Sequence, residues 1–281
     1  MKYFLFIVFI GYFLLFISCK KYQPAPAAFF ITTDKVSVSS TTLQGSSSQN
    51  ISDLYLYVNG KFQGAYPVGH TMPIITNNAS AKIDVFAGIK NNGIKDLSIT
   101  WLFYQNITFD TLVESGKTIS RPLTFTYNPN VKFTWMENFD NPIGFSLVKS
   151  ASYTDSIVYK IAATSESFEG KSIEFGLNGN GYTAQVESSI AYALPKGNSN
   201  VYLEINYKCN NEFLVGLTDG VNLKPGIIVK PKSNWNKIYI QLASAVNDAP
   251  QSNSYKVFFR VLANENPNAR VWLDNIKLIY L

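Results

Sequence analysis

The chain has 281 residues, with 24 Lys and Arg against 19 Asp and Glu, one histidine and two cysteines. Its mild positive balance is spread evenly and forms no basic stripe of the kind that nucleic-acid association needs, so no nucleic-acid partner is expected. One histidine and two cysteines also exclude zinc sites that draw on several such ligands.

The N-terminus is Met1-Lys2, then an apolar and aromatic run from Tyr3 to Ile17, then Ser18 and Cys19. A charged tip, a short greasy core and a small residue before the cut are the parts of a secretory signal. As a helix rising about 1.5 Å per residue the run reaches about 22 Å, short of the roughly 30 Å hydrocarbon core. The stretch Leu14-Leu15-Phe16-Ile17-Ser18-Cys19 resembles the lipobox of bacterial lipoproteins, with Phe16 where that pattern prefers Leu. The resemblance implies a signal peptide over residues 1–18, cleavage before Cys19 and acylation of its thiol. More than one acyl chain makes such attachment lasting. With Cys19 so committed, Cys209 has no partner for an internal disulfide. Lys20 stands where an inner-membrane retention signal would place Asp, which implies the outer membrane. Lys20-Lys21-Tyr22-Gln23 carries no acid, and this favours the periplasmic leaflet over the cell surface. The alternatives are a plain secretory signal with a chance cysteine and an uncleaved signal anchor, the latter opposed by Lys20 and Lys21 outnumbering Lys2. Residues 19–28 include Pro24-Ala25-Pro26-Ala27 and are read as an extended spacer.

From Phe29 the pattern is alternation of β-branched and aromatic residues, punctuated by turn residues, which predicts stacked short strands. Val36, Val38 and Leu43 suggest one strand and Leu54-Tyr55-Leu56-Tyr57-Val58 another. Asn59-Gly60 is a two-residue hairpin signal, because both residues tolerate positive φ. Ile83 to Ile89 and Trp101-Leu102-Phe103-Tyr104 predict further strands. Lys117 to Thr126 closes the set, with Pro122 at an edge or bulge. A hundred residues of this kind, 29–128, fit an immunoglobulin-like sandwich. The pieces Gly45 to Asp53, Tyr57 to Gly60 and Phe86 to Ile94 resemble the N-terminal module of a recurrent type of Gram-negative outer-membrane lipoprotein. That resemblance implies fold and location and no ligand.

Asn128-Pro129-Asn130 is a turn cluster and the expected domain boundary. Beyond it, Trp135 to Pro142 and Val271 to Leu278 resemble the first and last strands of galactose-binding-like jelly rolls, the fold of many carbohydrate-binding modules. Phe168 to Phe175 and Ser233 to Ile240 match further strands of that family in order. The fold expected is all-β, with two tandem β-sandwich domains, the second a jelly roll over 131–281.

The jelly-roll resemblance implies a structural Ca²⁺ between Asp140 and Asp274, with carbonyls near Gly170-Lys171 completing the oxygen ligands. The competing reading has Asp274 tie the strand through backbone hydrogen bonds with no ion. Glycan binding needs aromatic faces, and the rings available are Tyr153, Tyr182, Tyr192, Trp235 and Trp272. Trp235 leads a strand shared with Ile238 and Ile240 and is expected to pack. Tyr182, in the loop-like Asn178-Gly179-Asn180-Gly181-Tyr182, is the ring expected to be exposed and to meet a ligand. Lone His70 reads as a loop residue and Cys209 as a small buried hydrophobe, so no catalytic residues are assigned. The expected function is therefore that of a non-enzymatic outer-membrane lipoprotein, a binding accessory whose jelly roll contacts a glycan or a protein surface. A subunit docked on an outer-membrane protein complex is the alternative, and a glycosidase with paired carboxylates is the third reading.

Overall fold

The computed structural model of the protein describes residues 28–151, 157–179, 181–197, 200–248, 251–263 and 266–281. Cys19, the signal peptide, the spacer up to Ala27 and Tyr153 lie outside the described residues.

The first unit stacks two layers of strands. In one layer β1 (Phe29–Thr32) pairs antiparallel with β5 (Met72–Ile74) and parallel with β9 (Thr118–Ser120), while β2 (Val36–Ser39) pairs parallel with β10 (Leu123–Thr126). The other layer runs β4 (Lys61–Pro67), β3 (Asp53–Val58), β6 (Ser80–Lys90), with β7 (Ser98–Thr100) and β8 (Ile107–Leu112) sharing the far side of long β6. Alternation explains the packing: Leu54, Leu56, Ile83 and Val85 are buried between the layers with Phe29, Ile31 and Phe125. Asn59 and Gly60 take φ of 51° and 75° and join β3 to β4, as the hairpin signal requires. Pro122 falls in the break between β9 and β10.

Two local expectations are corrected. Leu43 does not continue the strand of Val36 and Val38. That strand stops at Ser39, and Leu43 lies in a 3-10 turn, Thr42–Gln44, where Gln44 Oε1 accepts from the Thr41 amide at 3.0 Å and Leu43 is 81% exposed. Trp101 to Tyr104 is a turn rather than a strand. Trp101, Phe103 and Tyr104 are all buried in one core, and the two-residue alternation of a strand would send neighbouring Phe103 and Tyr104 to opposite faces.

The second unit is a sandwich of a six-stranded and a five-stranded sheet. The first contains β13 (Ile157–Ile161), β14 (Ile173–Leu177), β21 (Arg270–Tyr280), β16 (Val201–Cys209) and β19 (Lys232–Gln241), with β11 (Lys132–Glu137) also on β21. The second runs β12 (Leu147–Lys149), β15 (Thr183–Ser188), β20 (Lys256–Leu262), β17 (Phe213–Thr218), β18 (Leu223–Val229). A five-residue helix, α1 (Ala243–Asn247), follows β19. The expected pairing of first and last strands is present, with Trp135 opposite Leu278. The chain is all-β, built of two successive β-sandwiches.

The units are not beads on a string. On β16, Leu203, Ile205 and Tyr207 enter the second core, so Tyr202, Glu204, Asn206 and Lys208 face outward. One end of this outward face lies against the first unit. Tyr202, Tyr239 and Ile279 join the core of the first unit, and the Trp101 ring sits 4.8 Å from Tyr202 and 4.7 Å from Tyr239. Between these rings lies a buried charged set. Glu204 pairs with Lys237 at 2.7 Å, and the Tyr127 hydroxyl oxygen lies 3.0 and 3.1 Å from the two Glu204 oxygens. The Lys277 ammonium donates to the Ser46 carbonyl at 2.6 Å and to Tyr127 at 3.1 Å. Asn50 completes the seam, its amide donating to the Tyr239 hydroxyl and its side chain to the Lys237 carbonyl. Burial pulls Lys277 down to about 7, Lys237 adding to the effect and Glu204 opposing it.

Removing one partner of a buried ion pair leaves the other uncompensated at a cost of roughly 3–5 kcal/mol. Glu204→Ala should lose about that much in urea denaturation followed by tryptophan fluorescence, and a loss below about 1 kcal/mol would contradict this account of the seam. The Lys277 amine titrates near 10.5 when exposed in the unfolded chain and is pulled down to about 7 by burial in the fold, so the folded state holds fewer protons between those values. The penalty for burying Lys277 is therefore complete below pH 7 and fades as pH rises toward 10.5. Relative to the parent, Lys277→Met should gain stability between about pH 9 and about pH 6, by a few kcal/mol; stability curves that run parallel across this range would refute it.

Candidate functional site

Asp140 and Asp274 both turn toward the loop Phe168 to Ser172. Asp140 follows β11; its Oδ1 accepts the Lys171 amide at 2.9 Å and its Oδ2 the Asn138 side chain at 3.1 Å. A Cβ on Gly170, where φ is 50°, would overlap Asp140 Oδ1, so glycine is required for this approach. Asp274, inside β21, is fully buried. Its Oδ2 accepts from the Glu169 amide (3.1 Å) and the Ser172 hydroxyl (2.8 Å), and its Oδ1 from the Asn275 amide (2.7 Å). Burial pushes this carboxyl up to about 7 against those bonds, with Glu169 adding like charge. Calcium takes about six to eight oxygens, whereas Lys171 offers its N–H here and both Asp274 oxygens face donors. Among the described residues no group of three His, Cys, Asp and Glu side chains converges as a metal set. The residues present fit the tying of strand to loop rather than a calcium cage.

The five-stranded sheet carries a different chemistry. Ala184, Val186, Val215, Leu217, Val257, Phe259 and Val261 point into the core, so the residues between them line the outer face. One row across that face reads Gln185, Arg260, Leu214, Ile228. Arg260 Nε donates to Gln185 Oε1 at 2.7 Å, and Gln185 Nε2 reaches the Ser150 hydroxyl at 3.2 Å and Glu187 at 3.3 Å. Glu187 in turn pairs with Lys256 at 2.9 Å. Beside this ladder the Phe258 ring lies over Gly216, where an added Cβ would come within 2.8 Å of it, and the Arg260 guanidinium stands 5.5 Å from the ring centre.

The row opens at one end into a shallow hollow of about 70 Å³ bounded by Glu212, Leu214, Ile228, Arg260 and Leu262. Tyr182 stands at the same end. It is 84% exposed, its carbonyl accepts the Ala263 amide at 2.9 Å, and its neighbour Thr183 is registered opposite Leu262. The outer face therefore carries hydrogen-bonding groups fixed in orientation together with apolar side chains, and the exposed ring of Tyr182 stands at the end of β15, beside that face. That combination can hold a molecule whose polar edges and apolar faces alternate.

The other candidate rings are placed apart from this face. Trp235 is half-buried, donates from Nε1 to the Glu166 carbonyl at 3.1 Å and packs on Phe168 at 5.5 Å. Lys208, paired with Glu166, sits 4.9 Å from the Trp272 ring and 5.7 Å from that of Trp235. These two tryptophans pin the segment before β14 onto the six-stranded sheet. Tyr192 stacks on Trp135 at 5.9 Å. His70 is exposed in the turn after β4, and Cys209 is buried, its thiol pushed up to about 11 by that burial. Gln185, Glu187 and Arg260 were not singled out from the sequence. The available signal was their alternation with apolar residues in Thr183 to Ser188 and Lys256 to Leu262, which marks an outward face without saying what it meets.

No family model and no curated relative matches the chain in sequence. Among solved structures it is similar to a family 29 carbohydrate-binding module, with 9% identity over 54% of this chain and 88% of that one and a TM-score of 0.34. A variant of a family 29 module complexed with mannohexaose matches at 8% identity, 54% and 92% coverage and a TM-score of 0.35. The module TmCBM61, in complex with β-1,4-galactotriose, matches at 13% identity, 48% and 87% coverage and a TM-score of 0.32. Likeness at this level assigns no residue of this chain a role.

Proposed function

We propose that the protein is a non-enzymatic glycan-binding lipoprotein, held through acylated Cys19 on the periplasmic leaflet of the outer membrane. The observation that carries the reading is the outer row of the five-stranded sheet, where the half-buried side chains of Arg260, Glu187 and Lys256 are held in place over buried Gln185 and Phe258, with exposed Tyr182 at the end of β15. Sugar hydroxyls meet the guanidinium of Arg260, the carboxylate of Glu187 and the ammonium of Lys256, which buried Gln185 and the ion pair between Glu187 and Lys256 already hold in place, so little ordering is needed on binding. The apolar side of a sugar ring meets Tyr182, Leu262 and Ile228. Anchoring by lipid raises the effective concentration of a weak binder near its target without any new contact. Docking on a membrane complex would call for a contiguous apolar patch. Among the described residues, strongly exposed Leu43, Leu112, Ile143 and Val221 sit on separate turns and strand ends.

The test is affinity electrophoresis of the mature chain, carrying Cys19→Ala for solubility, through gels containing mannan, glucan, galactan or xylan. At least one polysaccharide should retard it. Tyr182→Ala should weaken that binding by about two- to tenfold, the worth of one ring contact. If no polysaccharide retards the protein, or if Tyr182→Ala migrates as the parent does, the proposal fails.

A further inference from the structure

A second hollow lies between the two units, away from the five-stranded sheet. It consists of two open spaces of about 220 and 420 Å³ that share Thr42, Gly45, Ser46, Asn138 and Asn275. One wall is the Ser40 to Ser47 segment of the first unit, and the other is formed by the end of β11, Glu169 and the middle of β21. Neither unit makes this site alone. The walls are also fixed in relation to each other, because Lys277 donates to the Ser46 carbonyl at 2.6 Å and Asn206 to the Ser48 hydroxyl at 2.8 Å.

The two walls differ in chemistry. The second unit presents the exposed carboxylates of Asp140 and Glu169, each held by a neighbouring amide: Asn138 donates to Asp140 at 3.1 Å and Asn275 to Glu169 at 3.0 Å. The first unit presents the hydroxyls of Thr41, Thr42 and Ser47. Among the described residues no aromatic ring lines either space, so a flat apolar ligand has none of them to stack on. The one lysine of the lining, Lys277, is buried below and engaged with Ser46 and Tyr127. An acidic ligand would therefore meet two carboxylates and no open ammonium among the lining residues. The backbone is itself committed here: Phe139 and Asn275 take φ of 59° and 48°, a conformation that costs a bulky residue of order 1–3 kcal/mol, and this aims Asn138, Asp140 and Asn275 at the cleft.

We infer that this interdomain cleft is a second binding site, which takes a single hydroxyl-rich sugar residue that is neutral or carries an amine and rejects a sugar acid. Vicinal hydroxyls donate to Glu169 and Asp140, and the threonine and serine hydroxyls of the opposite wall complete the shell. The inference rests on different residues from the glycan face and stands or falls separately.

The test is calorimetric or NMR titration of the mature chain carrying Cys19→Ala with the methyl glycosides of glucose, glucosamine and glucuronic acid. The glucoside and the glucosaminide should bind, with the glucuronide weaker by about tenfold or more, since like charges brought together in a binding site cost at least that much. Glu169→Gln should weaken the glucosaminide by about tenfold, and Thr42→Val, on the opposite wall and clear of the carboxylate network, should weaken both several-fold. Tyr182→Ala should leave all three titrations unchanged. Binding of none of the probes, equal binding of the glucuronide, indifference to both cleft variants, or loss of binding in Tyr182→Ala would overturn the inference.

Discussion

The arrangement depends on one buried set at the seam between the sandwiches, in which Glu204 pairs with Lys237 and accepts from Tyr127, whose hydroxyl in turn accepts from Lys277. Two ammoniums and one carboxylate are taken out of water there, and such groups are tolerated only when bonds satisfy them from several sides. The first unit supplies Tyr127 and the Ser46 carbonyl, the second supplies the three charges. Neither surface would be stable if it faced an apolar partner. The seam thus does more than add apolar area: it allows only one way of placing the units together. The rings of Trp101, Tyr202 and Tyr239 then close around the charges and continue the first core across the junction.

This docking divides the work between the faces of the jelly roll. The outer face of the six-stranded sheet is taken up at one end by the first unit and at the other by the segment that Trp235, Trp272 and Lys208 hold down. The outer face of the five-stranded sheet keeps its row of half-buried polar side chains, with the exposed ring of Tyr182 at the end of β15. One face of the jelly roll is therefore left uncovered by the first unit while the other is consumed internally. Where the first unit ends, the cleft begins, and its walls inherit the rigidity of the seam.

Asp140 and Asp274 illustrate how two carboxylates can tie a loop through hydrogen bonds. Both reach the same loop, as the jelly-roll resemblance implied, but their oxygens are met by N–H and O–H groups. The carboxylates fix Glu169 and Lys171 in the backbone around Gly170, and through Glu169 they shape one wall of the cleft. Their role in the fold follows from hydrogen-bond geometry, which no spacing of acids in a sequence conveys.

Periodicity and turn chemistry were enough to establish an all-β chain, the Asn59-Gly60 hairpin and the burial of Cys209, because these are local properties, whereas the pairing of the first and last strands of the second unit was implied by the jelly-roll resemblance. Periodicity was misled at Leu43 and at Trp101 to Tyr104, where side chains turn away from strand alternation. Tyr182 was recognisable as an exposed ring from its glycine-rich loop. Gln185, Glu187 and Arg260 were visible only as outward positions, and the seam of Glu204, Lys237 and Lys277 was not visible at all, since charges at alternate strand positions read as solvated. Which of them meet water, which meet one another and which meet a second unit is decided by contacts between residues up to 231 positions apart. The local pattern determined the strands and their two faces, and only the tertiary structure decided what each face touches, because that depends on how the sandwiches dock.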